Sequence, residues 1–352
     1  MPVSFSSDNP AVIGALAAGS LTMALFTIVL ALRAAHMLHD LRLRQLRAIW
    51  WPIFAETAAS GEVARNLPLP PVRIGQKRML LREWSRFRSM VLGQATVSMN
   101  KLAERLELLP LARRHMKRHS ASKRLLALQV VGQMRDVDSW DAIDDILESP
   151  NIALSVTAAR ALTDINADRA IPRVIPLIGR FSRWPRTQIG RILNGAGPEI
   201  VSVRLCREIA DAPLGAAILL LQFADSAYSG DINAVAQRLL RTRREPALLA
   251  AALKAARGGI CPERVVDLTR HPVWYVRMHA ASLLGRAGKY EDLGALEPLL
   301  ADREWWVRYR AAQALVASPF LGPNALRRIA ARQKDRFARD ILQQALAEKR
   351  LA

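Results

Sequence analysis

The side chains that most often do chemistry are few here and scattered. His36/His39 and His115/His119 stand three and four residues apart. Those spacings put two imidazoles on one helix face, where a metal could sit, but neither pair has a third ligand nearby. No metal site is assigned. Asp144-Asp145 is an adjacent acid pair and reads as a solvated face. Cys206 and Cys261 are the only two cysteines and fall in separate repeats, so no disulfide framework is implied and a reducing compartment fits. Each reads as a small buried apolar residue. Gly195-Ala196-Gly197 runs into Pro198 and reads as a turn between helices, not a phosphate loop. No CxxC, HExxH or GxSxG occurs. No catalytic residue and no cofactor is therefore expected, and the chain is not read as an enzyme.

What remains is the chemistry of recognition. Arg173, Arg204, Arg207, Arg238 and Arg264 recur on one class of apolar segment, with Arg241, Arg270, Arg327 and Arg328. Guanidinium groups in that pattern suit an acidic partner. A cation near a helix C-terminus, stabilised by the dipole, is the plainer account of Arg241 and Arg270. Trp274 and Trp305 stand 31 residues apart, each just before Val-Arg, and Tyr275 and Trp306 follow in register. Trp184 holds a similar place. Trp and Arg are common interface anchors, although packing between neighbouring repeats would also use these rings. Arg42, Arg44, Arg47, Arg113, Arg114, Lys117 and Arg118 form a second basic set, suited to anionic lipid headgroups or simply to water.

The elements that would position these groups repeat. Val276–Leu284, VRMHAASLL, returns as Val307–Leu315, VRYRAAQAL, and a looser copy lies at Leu154–Leu162, LSVTAARAL. Self-similarity near 30 residues means stacked units. First helices are expected near Ser120, Asn151, Pro185, Leu214, Pro246, Pro272 and Arg303. Each carries small residues at its centre, such as Ala280-Ala281. Second helices are expected over Ala142–Leu147, Ile171–Ile178, Ile200–Ile209, Ile232–Leu240, Arg264–Leu268, Leu293–Leu300 and Ala325–Ala330. Arg336–Lys349 has the polar face of a terminal cap. The first unit is acidic (Asp136, Asp138, Asp141, Asp144, Asp145, Glu148), so the array is expected to be polarised along its length.

Four regions follow: a short outer tail, 1–10; a membrane helix, 11–32; a basic helical neck, 33–119; and the repeats with their cap, 120–352. Ala11–Leu32 holds 22 residues without a charge, enough to span about 30 Å of hydrocarbon. Bases follow the run and none precede it, against a cleaved leader and in favour of an outer N-terminus. Gly14 and Ala18 could let another helix approach closely. The chain carries +20, and 33–119 holds 17 Lys+Arg against 6 Asp+Glu, more than half of that excess. Placed beside the apolar run, this charge favours lipid over nucleic acid. Pro52 should end the first helix. Trp50-Trp51 could touch the membrane surface or pack inward. Asn66–Val72, NLPLPPV, reads as a stiff linker, and Lys77–Leu111 as helical with Trp84, Phe87, Val91 and Leu92 on one face.

Asp302–Ser318, DREWWVRYRAAQALVAS, and His271–Gly288, HPVWYVRMHAASLLGRAG, resemble HEAT repeats of the short bacterial type: Asp, then Val-Arg, then Ala-Ala, then Leu. The resemblance covers about two thirds of the chain. It implies an all-α, right-handed α-solenoid of helix pairs, here preceded by one transmembrane helix, with second helices on the concave side. It also implies a role in holding another macromolecule. Arg277 and Arg308 match the Val-Arg arginine and should pair with an Asp in a neighbouring loop, such as Asp302. His271 stands where Asp302 stands one repeat later, which interrupts that ladder. The expected partner is a protein, a subunit of an inner-membrane complex such as those of polysaccharide synthesis or secretion, with the solenoid in the cytoplasm. HEAT-like DNA glycosylases and bilin lyases share the repeat type and supply alternative readings. The membrane run argues against nucleic acid, and neither cysteine sits in a setting suited to a bilin.

Overall fold

A computed structural model describes residues 10–60, 69–180, 183–258 and 262–351. The expected outer tail through residue 9, residues 66–68 of the Pro-rich linker and Cys261 lie outside the described residues. The helices are α1 Pro10–Ser60, α2 Lys77–Arg88, α3 Gln94–Arg105, α4 Leu108–Met116, α5 Ala121–Gln133, α6 Trp140–Leu147, α7 Ile152–Ile165, α8 Ala167–Arg180 and α9 Arg186–Ala196. They continue with α10 Pro198–Asp211, α11 Leu214–Leu221, α12 Ser229–Thr242, α13 Pro246–Ala255, α14 Pro262–Leu268, α15 Trp274–Ala287, α16 Trp305–Ala317, α17 Pro323–Arg332 and α18 Arg336–Leu351. Among the described residues there is no strand. The chain is an all-α solenoid-type fold, divided into two compact units at residues 134 and 135.

The first unit holds α1 to α5. From residue 18 to 42 every side chain of α1 is exposed. Leu46, Trp50, Phe54 and Thr57 are then buried against α2 and α3. The helix does not end at Pro52. Proline removes one backbone bond and crowds the preceding turn, at a cost of about 3 kcal/mol. Trp50 and Phe54, on either side of it, are buried, and their burial offsets that cost at ~1.5–3 kcal/mol each. Trp50 and Trp51 pack within the unit: Trp50 lies 6.0 Å from Phe54, and Trp51 lies edge-on 5.7 Å from Phe87. The helical pattern over 77–111 breaks twice. Gly93 adopts φ +61°, closed to most side chains, and turns the chain between α2 and α3. Leu92 is consequently 87% exposed instead of sharing the face of Trp84.

A half-buried polar knot fixes α5 in this unit. Ser85 Oγ meets Gln133 Oε1 at 2.8 Å, and Gln133 Nε2 donates to the Ser85 carbonyl at 3.1 Å. Asn100 Nδ2 donates to the Gln133 carbonyl at 3.1 Å, and Trp84 Nε1 to the Met99 carbonyl at 2.9 Å. The helix expected to open the solenoid thus packs with α2 and α4.

The second unit holds the repeats. First helices α7, α9, α11, α13, α15 and α16 alternate with second helices α6, α8, α10, α12, α14 and α17, and α18 closes the array against α16 and α17. Asn151 caps α7 by accepting from the Leu154 N–H at 3.3 Å. The small residues at first-helix centres are buried: Ala158, Ala159, Ala280, Ala281, Ala311 and Ala312. They let first helices pack closely. At Gly285 a Cβ would stand 2.5 Å from the Ala314 Cβ, so α15 and α16 approach closely there. The expected helix over Leu293–Leu300 is instead two 3-10 turns, Tyr290–Leu296 and Pro298–Ala301. Pro298 has no N–H to continue an α-helix, and the tighter turns still bury Leu293, Leu296, Leu299 and Leu300. α8 keeps its helix through Pro172 and Pro176 because Ile171, Val174, Ile175 and Ile178 are buried.

Candidate partner-binding surfaces

The repeat motif itself is occupied with holding the array together. Arg277 on α15 reaches the loop before α16, where its Nε and Nη2 donate to Asp302 at 2.7 and 2.8 Å. Its Nη1 donates to the carbonyls of His271 and Pro272, both at 2.9 Å. Both side chains of the pair are 9% exposed. Asp302 also accepts from the Glu304 N–H at 2.9 Å. Burial alone would raise the Asp302 carboxyl; the bonds from Arg277 and Glu304 outweigh it and hold the group below its ordinary value. One repeat on, Arg308 stands 3.9 Å from Asp335 and 5.6 Å from the Phe337 ring. So the Val-Arg arginines are structural, as the motif suggests.

The second helices are not uniformly basic. Acidic α6 and basic α8 face each other across three ion pairs: Arg169–Asp141 at 3.7 Å, Arg173–Asp144 at 2.9 Å and Arg180–Glu148 at 3.2 Å. Arg169 also lies 4.2 Å over the Trp140 ring. Asp141, Asp144 and Glu148 of the acidic first repeat and the arginines of α8 therefore neutralise each other. Arg204 pairs with Glu208 on its own helix at 3.3 Å. Arg264 donates from Nε to the Leu240 carbonyl at 2.9 Å, tying α14 to α12. Arg207 and Arg238 are exposed. Between α14 and the 3-10 turns, a hollow of about 510 Å³ is lined by Glu263, Asp267, Glu291 and Asp292 with Arg270, an acidic stretch on the same row.

The aromatic residues divide. Trp184 is buried and its Nε1 donates to Ser155 Oγ at 3.2 Å. Trp274, Trp305 and Trp306 are 37%, 48% and 53% exposed. Trp305 stacks on Tyr309 at 5.1 Å and meets Trp306 edge-on at 4.8 Å.

The first-helix side carries a cationic groove that the sequence reading passed over. α13, α15 and α16 lie side by side, and a groove of about 300 Å³ opens along them. Its floor is small and apolar: Met278, Gly285, Ala314 and Ala317. Its rim is Lys254, His279, Arg286 and Arg310, with Ser282 and Gln313 and no carboxylate. Arg286 Nη2 donates to the Ala256 carbonyl at 3.3 Å, and Arg310 Nη1 to Gln313 Oε1 at 2.8 Å. Burial, then Lys254, Arg310 and Arg286, hold His279 below its ordinary value. Burial, with Arg257 and Arg310, lowers Arg286 likewise. The one legible signal was register: His279 and Arg310 are equivalent positions, each just before the Ala-Ala pair.

In the first unit, Arg47 is withdrawn from the expected lipid set. Its Nε and Nη2 donate to Glu83 at 2.7 and 2.9 Å, and Trp51 Nε1 adds a bond at 3.3 Å. Glu83 is 1% exposed. Arg42 and Arg44 remain exposed. Beside them, His39, Arg78 and Arg82 line a hollow of about 300 Å³. Arg114 Nε donates to the Pro110 carbonyl at 3.4 Å, Arg113 is half-buried, and Lys117 and Arg118 are exposed. His115 is half-buried, and burial with Arg78, Lys123, Arg118 and Arg114 lowers it. Among the described residues no three His, Cys, Asp or Glu side chains stand together as a metal site. Burial pushes the Cys206 thiol up to about 11, so it stays protonated and unreactive.

Residues 262–347, from α14 through most of α18, match the model of the HEAT repeats family. Among solved structures the chain is similar to an engineered protein at 13% identity and TM-score 0.34, covering 84% of this chain and 95% of that one. It is also similar to human deoxyhypusine hydroxylase in complex with glycerol at 17% identity and TM-score 0.26, covering 85% and 97%. No curated protein matches.

Proposed function

We propose that this chain is a membrane-anchored scaffold whose helical repeats hold a protein partner on the cytoplasmic side of the inner membrane. HEAT repeats are commonly protein-interaction modules, and the match at residues 262–347 supports a protein partner in general terms. One observation carries the membrane part. α1 is long and apolar enough to cross a bilayer, with a mean hydropathy of 1.8, and its apolar window is 0% buried. Leu21, Met23, Leu25, Phe26, Ile28, Val29, Leu30 and Leu32 all stand open on it. Leaving them in water would cost on the order of 10 kcal/mol. The helix then continues unbroken into the core of the first unit. That continuity favours a retained anchor over a removed leader.

On this reading the bases just beyond the span, Arg42 and Arg44 with Arg78 and Arg82, contact anionic headgroups, and the N-terminus faces outward. The reading assigns the chain no reaction of its own. Its test is fractionation followed by gentle detergent extraction of the tagged full chain. Expected are resistance to alkaline carbonate extraction and co-purification of a stoichiometric partner. A chain released into the soluble fraction refutes the anchor, and a partnerless, monodisperse chain refutes the scaffold.

A further inference from the structure

The cationic groove along α13, α15 and α16 differs from the α6–α8 face of the repeats. The α6–α8 arginines are neutralised pair by pair, and Arg257 is engaged by Asp225. Lys254, Arg286 and Arg310 form no ion pair among the described residues, although they gather round one apolar floor. Gathering like charges costs free energy, and the lining holds hydrogen-bond acceptors but no carboxylate to offset it. An anionic ligand would return it.

The shape of the groove narrows the ligand. Its cations stand on three successive first helices: Lys254 on α13, His279 and Arg286 on α15, Arg310 on α16. Packed helices lie about 8–10 Å apart, so the rim extends over roughly 20 Å. A single phosphate cannot bridge that distance, whereas about six residues of extended peptide can. The floor of Met278, Gly285, Ala314 and Ala317 offers no polar side chain and suits one apolar side chain laid between the charges. We infer that this groove is the seat of the protein partner and takes an acidic peptide segment, carboxylates on the rim and an apolar side chain on the floor. The inference rests on the scaffold reading and adds its docking site and ligand class.

The test uses the full chain in detergent micelles and a fluorescein-labelled peptide with a central leucine between pairs of glutamates. A control peptide carries glutamines instead. Saturable binding of the acidic peptide alone is expected. Arg286→Glu with Arg310→Glu should weaken it by about tenfold or more. Arg286→Gln with Arg310→Gln, milder in its effect on folding, should weaken it by a few-fold. Arg207→Glu with Arg238→Glu, on the second-helix row, should leave it within about twofold. Equal binding of the glutamine peptide, or indifference to both groove variants, overturns the inference. So does full competition by inorganic phosphate, which marks a small-anion site, or tighter binding of a duplex oligonucleotide. The two levels fail separately. A native partner that still co-purifies with the charge-reversed groove refutes the groove and leaves the scaffold. An unaltered chain without any partner refutes the scaffold whatever the peptide does.

Discussion

Asp302→Ala is the most informative single change to the repeats. It removes both acceptors from the Arg277 Nε and Nη2 bonds while leaving the guanidinium held by the carbonyls of His271 and Pro272. With each partner 9% exposed, the stranded cation cannot easily turn to water. Breaking such a pair from one side costs about 3–5 kcal/mol. A repeat array opens locally, so one global midpoint would understate the loss. The suitable assay is amide hydrogen exchange of the full chain in micelles, read over α15 and α16. Protection there should fall by about a hundredfold or more, with α7 to α10 unaffected. Arg277→Met with Asp302→Leu should cost less than either single change, because it strands neither charge. Acid adds a sign. Asp302 is held below its ordinary value, so its contribution is present above the unfolded carboxyl value and is lost as pH falls through the lower folded one. Asp302→Asn should flatten that acid limb. A loss below about 1 kcal/mol, or a double replacement as costly as the singles added, would refute the reasoning.

Other outcomes follow from the same contacts. Glu83→Ala releases Arg47, which is 38% exposed, and Trp51, so it should loosen α1 from α2, seen as faster proteolysis in the 46–60 segment at a cost of about 1–2 kcal/mol. Gly285→Ala puts a methyl 2.5 Å from the Ala314 Cβ and 2.6 Å from its Cα, so α15 and α16 must part, lowering α16 protection by about 1–3 kcal/mol. Burial, then Lys254, Arg310 and Arg286, hold His279 below its ordinary value. Folding therefore weakens as pH drops below the ordinary histidine value, and His279→Gln should remove part of that slope in denaturant titrations. Arg78→Glu with Arg82→Glu should reduce binding of reconstituted chain to anionic over neutral lipid by spin-label contact, with no change in carbonate resistance.

The first helices were legible because their signal is local and repeated. Val-Arg, Ala-Ala and Leu mark one buried stripe, and α15 and α16 fall on it. The Arg277–Asp302 pair was legible too, since the motif carries both members. The breaks were harder to read. Proline at 52, 172 and 176 is overridden by buried neighbours, whereas Pro298 is not, and no local pattern separates these cases. Partnering across helices was the least visible. Arg173 looked available because Asp144 lies 29 residues away, and Arg47 because Glu83 lies 36 away. The groove needs side chains from three repeats to converge, so composition along any one helix conceals it.

The unbroken course of α1 has a mechanical consequence. A Gly/Ser tether lets a domain swivel, but a helix transmits rotation, and the Arg47–Glu83 bonds lock its far end to α2. On the anchored reading, the compass bearing of α2 to α5 about the membrane normal is therefore set by residue count between the span and Leu46. One inserted residue near Leu43 would turn that bearing by about 100° and raise it by about 1.5 Å. Seven would restore it to within about 20° while lifting the unit by about 10 Å. A partner that is itself embedded in the membrane would then be lost with the first insertion and nearly regained with the second, a phase relation that no flexible tether would produce.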